Sequence, residues 1–107
     1  MKLKKLRAKT ISGTLLGISS FSESEFELLK QTALDKDNLD DTFANYRANV
    51  ENVKAKLLAA GARSVIEVPL TVAEVEAYCQ QTGKPNIGAT RAELVQSIVH
   101  LHVPSQP

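Results

Sequence analysis

Apolar residues recur through the middle of the chain at Leu39, Phe43, Tyr46, Val50, Val53, Leu57 and Ala60, at intervals of 4, 3, 4, 3, 4 and 3. Such spacing places all seven on one stripe of a helix about six turns long, with Asn45, Arg47, Asn49, Glu51, Asn52, Lys54 and Lys56 turned largely elsewhere. The stripe reads as a core ridge or a coiled-coil seam. Residues 35–41 hold four aspartates, which suit the caps and first turn of a helix because negative charge meets the positive end of its dipole. With Gly61 as its stop, this helix is predicted over 38–60.

Three further helices are marked by their starts. Ser22 with Glu25 three residues on, flanked by Phe21 and Phe26, has the pattern of a capping box with a hydrophobic staple and predicts a helix over 22–34. Thr71 and Glu74, stapled by Leu70 and Val75, open a helix over 71–82 that Gly83 is placed to end. Thr90 and Glu93 repeat the pattern for a helix over 90–101.

Two segments follow another rule. Residues 10–18 alternate β-branched and small side chains without a helical stripe, and residues 63–68 are β-branched up to Pro69, which disfavours helix before it. Both read as short strands. They pair with each other, or 63–68 pairs with its own copy in a dimer. The predicted fold class is therefore mainly α: a compact four-helix domain with two short β-strands. A basic arm (1–9) precedes the domain (10–102), and a tail with two prolines (103–107) follows it.

Composition narrows the setting. At 107 residues and 43% hydrophobic content the chain suffices for one buried core and is short for two. The single cysteine, Cys79, forms no internal disulfide, so a reducing, cytoplasmic location is expected. Lysines 2–9 precede an apolar stretch at 11–18, but Gly13, Thr14 and Gly17 interrupt it and it is short for a secretory signal. No run approaches the roughly 18 apolar residues of a membrane span.

The net charge of +1 hides an asymmetry, because Lys2, Lys4, Lys5, Arg7 and Lys9 all lie within the first nine residues and the rest of the chain carries −4. An arm of this kind can touch an anionic polymer.

Residues 70–101 carry the most specific motif. Thr71-Val-Ala-Glu opens one helix, Gly83 ends it, a short loop leads to Gly88, and Arg91-Ala-Glu-Leu94 opens the next. This order resembles the helix–extended-loop–helix unit of SAP-like domains. The resemblance covers under a third of the chain and has about one extra residue between Gly88 and the last helix. It implies contact with nucleic acid through the loop and the start of the second helix, with Lys84, Thr90 and Arg91 as contacts; the charge of the arm separately makes Lys4, Lys5 and Arg7 candidates for the same polymer. Residues 63–102 depart from the family in charge, being net −1, which weakens phosphate binding.

A rival pattern overlaps it. A strand at 63–68, a helix and a second helix start are similar to a ribbon–helix–helix repressor, in which strands of two chains pair and enter the major groove. Here the loop at 84–89 is long for that fold and Glu67 is a poor phosphate neighbour.

Other candidate chemistry falls away. A calcium loop starting at Asp35 needs Gly sixth and Glu twelfth, where Asp40 and Tyr46 stand. His100 and His102, two apart on a helix, point in different directions and do not ligate one metal together. Cys79 reads as a small buried hydrophobe. The chain has no Gly-rich phosphate loop and no nucleophile elbow. The expected function is thus non-enzymatic, with no cofactor and no small-molecule substrate: a small accessory or regulatory protein that binds a protein partner or a second copy through Leu39, Phe43, Tyr46, Val50, Val53 and Leu57. The alternative is a DNA-binding regulator using residues 70–101.

Overall fold

A computed structural model describes residues 14–102. The arm residues Lys4, Lys5 and Arg7, the first part of the expected strand 10–18 and the tail 103–107 lie outside the described residues. The elements run β1 (Leu15–Ser20), α1 (Glu23–Thr32), a 3-10 turn (Lys36–Asn38), α2 (Phe43–Ala59), β2 (Ser64–Pro69), α3 (Val72–Thr82) and α4 (Gly88–His102). Four helices and two short strands match the predicted mainly α class.

The strands pair with each other, in parallel, from Leu15 opposite Ser64 to Ser20 opposite Pro69. Parallel neighbours need a crossover, and α1 and α2 supply it. Side chains alternate across the sheet. The face holding Gly17 and Val68 receives α4: a Cβ on Gly17 would stand 2.6 Å from Val99 Cγ2 and 2.8 Å from Val95 Cγ1. Glycine is needed there because the helix approaches too closely for any side chain. The opposite face, with Ser20 and Glu67, receives α2. Phe21, Phe26, Leu29, Val72, Val75 and Val95 form the main core, which knits α1, α3 and α4 to the sheet.

Local capping follows the sequence in most places. The Ser22 hydroxyl accepts from Glu25 N, and Thr71 and Glu74 complete a reciprocal capping box. Gly83 ends α3 in the left-handed region at φ 71°, a conformation open to glycine without a Cβ clash.

Several boundaries differ from expectation, some for tertiary and one for local reasons. Helix α1 stops at Thr32 rather than 34, because Leu34 N turns away to donate to Asn86 O at 3.0 Å in the α3–α4 loop. Helix α2 begins at 43, not 38. Asn38 N donates to Asp35 O and Leu39 N to Lys36 O, closing a separate 3-10 turn, and Thr42 is the cap, its hydroxyl accepting from Asn45 N at 3.1 Å. Leu39 therefore leaves the helical stripe, although it still packs against the core. Helix α4 begins at Gly88, not 90, so Thr90 is no N-cap but a buried residue inside the first turn.

Candidate functional site

The apolar ridge of α2 divides into two unlike halves. Its N-terminal half is covered: Tyr46 stacks on Phe26 with ring centroids 4.7 Å apart, and Phe43 tilts against the same ring at 6.0 Å. Val50 is buried, and Leu57 is half-buried. Val53, one turn on from Val50, remains 37% exposed. Ala60 lies beyond the helix and is exposed.

That uncovered part forms one wall of a groove of about 180 Å³ lined by Ile18, Ser19, Tyr46, Asn49, Val50 and Val53. The Tyr46 hydroxyl marks one end, donating to Ser19 O at 3.4 Å and accepting from Phe21 N at 2.9 Å. Burial of this phenol raises its pKa, and it stays a neutral donor at ordinary pH. The groove is mainly apolar, with the Asn49 amide at its rim. Ile18, Ser19 and Asn49 were not expected as site residues. Asn49 flanks the stripe by one position and was traceable in principle, whereas the β1 residues join it only through the crossover.

On the other flank of α2 the charges are mutually engaged. Glu67 accepts from Arg47 Nη1 at 2.8 Å and Nη2 at 3.2 Å, from Lys54 Nζ at 3.0 Å and from Ser20 Oγ at 2.9 Å. These donors, Arg47 first, hold its carboxyl at a pKa of about 2. The network ties α2 to both strands and straddles the sheet.

The residues expected at a nucleic-acid contact lie elsewhere. Arg91 is only 5% exposed, and its guanidinium forms a two-pronged pair with Asp35 (3.0 and 2.8 Å) while Nη1 also donates to Asn86 Oδ1 at 2.8 Å. Asp35 Oδ2 in turn accepts from Gly88 N at 2.9 Å, so a carboxylate of this chain already sits at the N-terminus of α4. Burial opposes ionisation of Asp35, but Arg91 and the Gly88 amide outweigh it and lower its pKa. The aspartate expected to cap α2 thus caps α4. Thr90 is buried beside it. Lys84, the most exposed of the three, pairs with both oxygens of Glu93 at 2.7 Å, and Tyr78 donates to the same carboxylate at 2.5 Å.

The N-terminus of α3 is likewise satisfied from within, by Glu74 and by Glu25 of α1, whose Oε1 accepts from Val72 N at 2.7 Å. Cys79 is half-buried and burial raises its thiol pKa, which disfavours the thiolate. His100 is exposed. Among the described residues no group of three or more His, Cys, Asp or Glu side chains is arranged to hold a metal, and no helix is long and apolar enough to cross a membrane. Comparison with protein-family models, curated proteins and solved structures finds no match to this chain.

Proposed function

We propose that this protein is a small accessory or regulatory factor that works by holding another protein in the groove between α2 and β1. The observation that carries this reading is the half-covered ridge: Val53 stands 37% exposed beside Val50 and Tyr46, in a concave apolar strip bordered by one amide. Continuous apolar surface rimmed by polar groups is the usual chemistry of a protein contact.

The test is a pull-down from native-host lysate with nucleic acid recovered alongside protein. A specific partner is retained by the wild type and by Leu34→Asp, a substitution at a 72% exposed leucine away from the ridge, and is lost with Val53→Asp. The same proteins on all three baits would remove the reading.

A second reading is a DNA-binding regulator built on residues 70–101. Its support is the order of α3, a short loop and α4, with Lys84 exposed at the loop and five cations in the arm. It predicts fluorescence-detected DNA binding that falls steeply with salt and weakens for Lys84→Ala. Lys84→Ala is the informative variant, since Arg91→Ala also breaks the Asp35 pair. Flat titrations at low salt remove this reading.

A further inference from the structure

The two outer edges of the sheet are treated differently. Leu70 N donates to Ser20 O at 3.0 Å and Ser64 N to Thr14 O at 3.4 Å, a register in which the even-numbered residues of both strands bond across the pair and, within β2, the odd-numbered ones turn outward. Along the β1 edge those outward groups meet side chains. Gly17 O accepts from Gln96 Nε2 at 3.3 Å, and Tyr46 serves Ser19 and Phe21. The outward residues of β2 are Val65 and Glu67, and among the described residues no hydrogen bond reaches their amides or carbonyls. Pro69, the next outward position, has no amide hydrogen and ends the edge.

This bare edge is also apolar. Ile66 is 38% exposed on the α4 face, because α4 packs chiefly over β1. Leu58 is 48% exposed, one turn beyond Lys54 on the flank of α2 that overhangs β2. Sheet edges of soluble proteins are normally blunted by lysine, a bulge or a covering element.

We propose that β2 pairs antiparallel with β2 of a second copy, about a two-fold axis at Ile66, to make one four-stranded sheet. In that register Val65 faces the partner's Glu67 and Glu67 faces the partner's Val65. Each such pair exchanges two main-chain hydrogen bonds, which uses all the outward groups between Arg63 and Pro69. The two Ile66 side chains meet at the axis, at the close, non-hydrogen-bonded type of pair. The register sets the two Glu67 residues diagonal to each other across the axis, and Arg63 lies at the same diagonal spacing from the partner's Glu67, about 7–8 Å away along the backbone and within reach of an arginine, so each carboxylate gains a cation from the other chain.

Tyr46 reaches the outer edge of β1 and Lys54 reaches Glu67 on β2, so side chains of α2 span both strands. The contact is isologous and closes on itself. It lies across α2 from the groove and is independent of what that groove holds: Val53→Asp leaves the dimer intact.

The experiment is sedimentation of the full chain over a concentration series, joined to cysteine crosslinking in a Cys79→Ala background. The expected result is a species of twice the 11.6 kDa chain mass, lost at the same concentration with Ile66→Lys and with Arg63→Glu. Ile66→Cys links the two chains under mild oxidation, and Leu34→Cys, the exposed control, does not. Should Ile66→Lys fail to fold, Arg63→Glu and the crosslink decide. A wild type that stays monomeric at every concentration, or a dimer in which Ile66→Cys links no faster than the control, overturns the proposal, including the case in which an unrelated extended peptide occupies this edge.

Discussion

Asp35 and Arg91, 56 residues apart in sequence, face each other fork to fork, with Nη1–Oδ1 at 3.0 Å and Nη2–Oδ2 at 2.8 Å. Both are largely withdrawn from water, at 17% and 6% side-chain exposure, and together they lock the turn after α1 to the start of α4. Removing one partner of a buried pair strands the other charge, so Arg91→Ala is expected to destabilise the fold by about 3–5 kcal/mol. Urea unfolding of Arg91→Ala, Asp35→Ala and the double variant checks this. Additive losses would mean that the two side chains do not act as a unit.

Gly17 sets the distance between β1 and α4. Its alanine variant drives a methyl into Val95 and Val99, both buried, and is expected to lower stability by about 1–3 kcal/mol. Val99→Ala opens space at the closer contact. Combining it with Gly17→Ala should therefore lose less than the two single losses added, as read by thermal melts.

Glu67 makes stability depend on acid. Its carboxyl titrates near 2 in the folded chain against an ordinary 4.5. A depressed folded pKa means that its contribution is complete above about 4.5 and disappears as pH falls from there toward 2. Because its side chain is a quarter exposed, we expect on the order of 1–2 kcal/mol rather than the full linkage value. Chemical unfolding from pH 6 to pH 2 should show this slope in the wild type and a flatter one in Glu67→Gln.

Glu25 caps a helix other than its own. Deleting its carboxylate removes the partner of Val72 N at the start of α3, a loss of about 1 kcal/mol. Hydrogen exchange discriminates between the helices: Glu25→Ala should expose amides in the first turn of α3, while those of α1 keep the Ser22 cap. Faster exchange confined to α1 would refute the assignment.

Much of the local structure was legible because it depends on residues three or four apart. The Thr71–Glu74 box, the Ser22 cap, the stop at Gly83 and the ridge from Phe43 to Leu57 each follow from short-range geometry that any helix imposes. Their chemistry was less legible. Arg91 beside a helix start resembles a phosphate contact, until Asp35 arrives from 56 residues away to occupy both the guanidinium and the Gly88 amide.

What the amino-acid order determined alone is therefore the kind of each element and most of its caps, since those hydrogen bonds close within one turn. The tertiary structure decided the rest. It fixed the parallel pairing of β1 with β2, the cut that shortened α1, the helix each carboxylate serves, and which part of the ridge stays open. Those outcomes turn on groups 20 to 56 residues apart. Satisfying buried amides and charges across the core outweighs the weaker local preferences that a linear reading can follow.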